Sequence, residues 1–110
     1  MLPSNIKIKN YKILIPNSVK IALQKQADYI AFEQQNPITA NNWLDGIIHA
    51  IQSLSKLPDR CPVAPENSYI KKDSTIIIRH LIYKKSFRVI FTVSKNEIRI
   101  LNVKHSLRLA

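Results

Sequence analysis

Glycine is almost missing from this chain: Gly46 is the single one among 110 residues. Neither a P-loop nor a GxGxxG turn can be built with it, so the nucleotide-binding folds that depend on those loops are excluded. Cysteine is equally scarce. A lone Cys61 allows no internal disulfide and no CxxC metal pair, which speaks against a stapled secreted scaffold and against structural zinc, and fits a reducing compartment. Acidic residues are the third shortage, 7 against 17 Lys plus Arg, so the formal charge is +10 at pH 7. Long apolar runs are absent too. No stretch approaches the ~18 apolar residues of a membrane span, and the first ten residues lack the apolar core of a signal peptide. A soluble cytoplasmic protein is expected.

What is present describes a packed domain. The chain is 45% hydrophobic and 22% charged, the balance of a globular core rather than of a disordered basic tail. Its length suits one domain over 1–110, with 1–10 as a flexible N-terminal extension. The positive charge is unevenly placed: +3 in residues 1–15, −1 in 16–70 and +8 in 71–110. Such a field favours a polyanionic partner: nucleic acid, an acidic protein segment or an anionic membrane surface.

Hydrophobic periodicity divides the chain into elements. Residues 11–15 form a short β-prone run, extended backward by the Ile/Lys alternation of Ile6 to Lys9, and Pro16 stops it. Val19, Leu23, Ala27, Ile30 and Ala31 make one helical stripe, predicting a helix over 18–35 with Asn17 as its N-cap. Pro37 closes that helix, and Ala40, Trp43, Leu44, Ile47, Ile51, Leu54 and Leu57 predict a second from about Thr39 to Leu57. Residues 58–75 hold three prolines and no period, a long connection for a small domain. Three β-prone runs follow, over 76–83, 87–93 and 97–103. The order β-α-α-β-β-β predicts an α+β fold, a mostly antiparallel sheet packed against a helical hairpin.

Strand parity then sorts the polar residues. Phe87, Val89, Phe91 and Val93 share a core face, leaving Arg88, Ile90 and Thr92 on the other. Arg79 and Tyr83 are expected on the face of Arg88, and Arg99 and His105 share a face of the last strand, with His105 at the edge of the same surface. Arginines on one sheet face can grip phosphate through paired donors, and a histidine beside them can move a proton near neutrality. Metal-free RNA cleavage requires no more, because the 2′-hydroxyl is the nucleophile. Glu66 in the long connection is the carboxylate to consider as base. Single strand arginines are just as often salt-bridge partners. Lys71, Lys72, Lys84 and Lys85 are candidate phosphate contacts, His80 reads as a core or rim histidine, Cys61 as a bystander and Trp43 as a core anchor.

The ordered set Ala40, Trp43-Leu44, Ile47, Ala50-Ile51, Leu54, Pro58, Arg60, Ala64-Pro65-Glu66, Arg79, Leu81, Tyr83, Phe87 to Phe91, Ile98, Ile100-Leu101, Val103, His105 and Arg108 resembles the RelE/ParE superfamily of type II toxin-antitoxin toxins, over roughly residues 11–108. The resemblance implies a growth-inhibiting toxin neutralised by a cognate antitoxin, with no cofactor. Its two branches are ribosome-dependent mRNA endonucleases and DNA gyrase poisons. The first is the activity expected here, with the other readings as alternatives: Arg79, Arg88, His105 and Glu66 would be catalytic, with the lysines above, Arg99 and Arg108 on nucleic acid and the ribosome and mRNA as targets. For the second, the chain would inhibit DNA gyrase without being an enzyme. A degenerate toxin kept as an antitoxin-binding module is the third reading.

Overall fold

A computed structural model describes residues 10–105. The expected N-terminal extension, all but Asn10, the Ile6 to Lys9 alternation and Arg108 lie outside the described residues. A strand β1 (Lys12–Leu14) leads into helices α1 (Asn17–Gln34) and α2 (Pro37–Gln52), followed by strands β2 (Ile77–Tyr83), β3 (Phe87–Val93) and β4 (Glu97–His105). Both helices pack on one face of a four-stranded sheet ordered β1-β4-β3-β2, in which β1 runs parallel to β4 and the other pairs are antiparallel. The predicted α+β architecture is the observed one.

Local chemistry sets the helix ends. Asn17 lies inside α1 rather than capping it: Pro16 takes the N-cap position, and its carbonyl accepts from the Val19 and Lys20 amides. Gln35 turns into the left-handed region at φ 50°, and the Asn36 amide closes back on the Ala31 carbonyl. Asn36 then caps α2, its Oδ1 accepting from the Ile38 and Thr39 amides. Pro37 begins that helix instead of merely ending the previous one, because the first helical position needs no N–H. The second helix stops at Gln52, short of the predicted Leu57, and tightens into a 3₁₀ turn over Ser53–Ser55. Arg60 finishes the job. Its guanidinium donates to the carbonyls of Ser53, Lys56 and Leu57 and to Ser53 Oγ, covering acceptors that the helix end leaves open.

The main core lies between helices and sheet. Val19, Leu23 and Ala27 of α1 and Trp43, Ile47 and Ile51 of α2 meet Phe87, Val89, Phe91, Ile98 and Ile100, with Leu81, Tyr83 and Val103 packed around them. Gly46 has a specific task here. A Cβ at that position would collide with the Tyr83 hydroxyl and fall 3.1 Å from the ring carbon bearing it, so glycine is what leaves room for the tip of the tyrosine against α2. We expect Gly46→Ala to destabilise the protein by about 1–3 kcal/mol although alanine is the better helix former, and Tyr83→Phe in the same chain to recover much of the loss. Urea denaturation of the single and double variants checks this. Equal losses with and without the hydroxyl would refute it.

One irregularity in the sheet decides which side chains meet. Between β3 and β4, Ile90 faces Asn102 but Phe91 faces Ile100, leaving Leu101 as an extra residue in a β-bulge. Parity in β4 changes there. Ile98 and Ile100 point to the helices, and beyond the bulge Val103 and His105 do so, opposite Val89 and Phe87, while Asn102 and Lys104 take the other face. The expectation that Arg99 and His105 share a face is therefore corrected: Arg99 lies opposite Thr92 on the outer face.

Candidate functional site

The long connection crosses from one face of the sheet to the other around the edge of β2. On the helix side Cys61 is buried in the main core, and Arg79 Nη1 donates to its carbonyl at 2.6 Å. Residues 62–64 then run along β2: the His80 amide donates to the Pro62 carbonyl, the Ala64 amide to the Ile78 carbonyl, and Val63 bridges antiparallel to Arg79. A 3₁₀ turn over Pro65–Tyr69 folds onto the outer face. There Asn67 Oδ1 accepts from the Ile78 amide at 2.9 Å, and Ala64 and Ile70 pack on Ile78 and Ile90 as a second small core.

This wrap delivers Glu66 to Arg88. The pair is bidentate, Nη2 to Oε1 at 2.7 Å and Nη1 to Oε2 at 3.1 Å, with the side chains only 16% and 25% exposed for Arg88 and Glu66. Arg88 Nε donates to His80 Nδ1 at 2.9 Å, which makes Nδ1 an acceptor and places the proton of the neutral ring on Nε2. Lys104 Nζ stands 3.7 Å from Glu66 Oε2. A carboxylate, a guanidinium, an imidazole and an ammonium group thus meet on the outer face.

Their mutual effects fix the protonation states. The Arg88 hydrogen bonds hold the Glu66 carboxyl down at about 2, against the opposing effect of burial. His80 is also lowered, by burial first and the Arg88 charge second, with Glu66 pulling the other way. Near neutrality Glu66 is fully ionised and His80 neutral. A carboxylate held that low and gripped on both oxygens is a weak proton acceptor, because a general base works best with a pKa near the working pH. All three nitrogens of Arg88 are engaged within the molecule.

The sequence-derived set divides between two faces. Glu66 and Arg88 come together as a pair. Arg79 does not join them: it pairs with Phe91 on the helix side, bonded to the Cys61 carbonyl and 3.6 Å from Asp59 Oδ1. Tyr83 pairs with Phe87 on that same side, so its placement with Arg88 is corrected as well. His105 stacks edge-on against Phe87, 4.8 Å between centroids, away from Arg88. Lys71, Lys72, Lys84, Lys85 and Arg99 are exposed and dispersed over the connection, the β2–β3 turn and β4. Lys84 and Lys85 form that turn at positive φ (49° and 63°), a conformation more usual for Asn-Gly.

Two members of the cluster, His80 and Lys104, are not among the site residues that the sequence predicts. His80 was legible. The short turn at 84–86 pairs Tyr83 with Phe87 and hence Ile82 with Arg88, which gives His80 the parity of Arg88. Lys104 was not, since its face depends on the bulge.

No protein-family model matches the chain, and no curated protein does. Among solved structures, a chain of the "Chromosomal ParDE TA system from P. aeruginosa" superposes with a TM-score of 0.67, over 86% of this chain and 95% of that one, at 17% identity. The chain shares the fold of that neighbour. At that identity the likeness is one of architecture, two helices packed on a four-stranded, mostly antiparallel sheet. Among the described residues no helix is long and apolar enough to cross a membrane, and no three His, Cys, Asp or Glu side chains converge as a metal site.

Proposed function

We propose that this protein is the toxin of a type II toxin-antitoxin pair, and that it acts by binding DNA gyrase rather than by cutting mRNA. The fold shared with a ParDE system supports the first part. The observation that carries the second is the separation of the four candidate catalytic residues: Arg79 and His105 lie on the helix side, and Arg88 is held by Glu66 on the other. Metal-free RNA cleavage needs a base, a phosphate clamp and an acid around one phosphate, within about 3 Å of the atoms they serve. Here the thickness of the sheet divides Arg88 and the base Glu66 from Arg79 and the acid His105, so neither face carries the whole set. The cognate antitoxin would contribute an acidic or amphipathic segment that folds onto the basic surface, with charge complementarity guiding the encounter.

A second reading, ribosome-dependent mRNA cleavage, is favoured by one feature. Glu66, Arg88, His80 and Lys104 together bring anion-binding and proton-transfer groups to one surface of a chain with +8 in its last 40 residues. One pair of reactions separates the two. With purified gyrase and supercoiled plasmid, the protein is expected to block resealing and accumulate linear DNA. In a cell-free translation reaction with one defined transcript, mapped mRNA ends are expected to stay intact. Ribosome-dependent cuts that vanish in Arg88→Ala, with gyrase unaffected, would overturn the binding mechanism in favour of the nuclease.

A further inference from the structure

Helix α1 carries apolar side chains on two sides. Val19, Leu23 and Ala27 are buried in the core, whereas Ile21 and Phe32 are 56% and 78% exposed on the opposite side. Lys25 and Asp28 stand between them, both exposed. Positions 21, 25, 28 and 32 follow the 4-3-4 step of a coiled-coil seam, so the four side chains lie on one line along the helix. Gln24 and Tyr29 flank that line, both exposed, and Gln24 Nε2 donates to Asp28 Oδ1 at 3.0 Å, which helps to hold the carboxylate on it.

This line is its own complement under a two-fold axis crossing α1 between residues 26 and 27. Laid antiparallel against a second copy, Ile21 meets the partner's Phe32 and Lys25 meets the partner's Asp28, and each contact occurs twice by symmetry. Gln24 falls beside the partner's Tyr29. A parallel pairing would instead set lysine against lysine and aspartate against aspartate, so the charges select the antiparallel arrangement. The net charge does not oppose it there. Lys20, Lys25, Asp28 and Glu33 leave α1 neutral, and the excess of +8 resides in residues 71–110.

We propose that the chain forms a two-fold homodimer through antiparallel contact of α1 with α1 of a second copy. The inference rests on the pattern of α1 alone and stands whether the target is gyrase or mRNA. About six side chains from each copy make the contact, less than a standard interface, so the dimer is weak, with Kd of order 10–100 µM.

Sedimentation equilibrium of the full chain from about 1 to 300 µM tests it, with folding of each variant verified by far-ultraviolet circular dichroism. The weight-average mass of the parent protein is expected to rise from one chain toward two. Lys25→Asp alone and Asp28→Lys alone place like charges together and are expected to weaken the dimer about tenfold. The double exchange, Lys25→Asp with Asp28→Lys, restores the pairing and is expected to return Kd to within about threefold of the parent value. Phe32→Glu is expected to leave a monomer. A parent chain that stays monomeric throughout overturns the proposal. So does a dimer indifferent to all of these substitutions, or a double exchange no tighter than its single components.

Discussion

Arg88→Met is expected to lower the unfolding free energy by about 2–3 kcal/mol near neutrality and to flatten the acid limb of the stability curve. The substitution keeps most of the aliphatic stem and removes the charge, leaving the Glu66 carboxylate with only Lys104 nearby and His80 Nδ1 without its donor. The sign of the pH dependence follows from the depressed folded values. Glu66 sits at about 2 in the folded protein against an ordinary 4.5, so its contribution is complete above about pH 4.5 and is lost as the pH falls toward 2. That depression corresponds to about 3 kcal/mol before screening, and a side chain one-quarter exposed retains about two-thirds of it, about 2 kcal/mol. His80 acts earlier. Its folded value is also depressed, from 6.5, so its contribution is complete above that pH and is lost as the ring takes up a proton below it. Urea denaturation of parent, Arg88→Met and Glu66→Gln proteins between about pH 7.5 and 2.5 measures both effects. Parallel stability curves for parent and variants below pH 4.5 would show that the pair is not the group that titrates.

The largest loss is expected from Trp43→Ala, about 3–5 kcal/mol. Trp43 is 5% exposed and joins α2 to the sheet, its ring edge-on to Phe87 at 5.0 Å and to Tyr83 at 6.5 Å between centroids. Alanine there opens a cavity that neighbours anchored on two separate elements cannot close. Trp43→Phe should cost less than half as much. The indole Nε1 is buried without a hydrogen-bond partner among the described residues, so phenylalanine removes an unsatisfied N–H along with part of the ring. Thermal or urea denaturation of the two variants gives the comparison. A Trp43→Phe loss equal to that of Trp43→Ala would mean that the N–H is paired or that the second ring carries the packing.

These two sites differ in how far the sequence reveals them. Trp43 was legible as a core anchor, because its place in the apolar stripe of α2 is a local property of a 3.6-residue repeat. The Glu66–Arg88 pair was half legible: both residues were singled out, but as base and phosphate clamp rather than as a closed ion pair. Residue type marks Arg79, but the face expected from the sequence is not the one it occupies. Its position opposite Phe91 follows from the short hairpin turn, and its partner, the Cys61 carbonyl, is 18 residues away along the connection.

By itself the sequence determined the order and kind of the elements, the apolar line of each helix, the break at residues 58–75 and the concentration of charge after residue 70. Those properties arise from neighbours within a few residues, where propensity and periodicity act. Tertiary structure alone decided which side chains of β4 meet those of β3. Strand parity holds only while no residue is inserted, and the bulge at Leu101 belongs to the long-range pairing of β4 with β3. That one extra residue sends His105 to Phe87 and Lys104 to Glu66, and with them the chemistry available on each face.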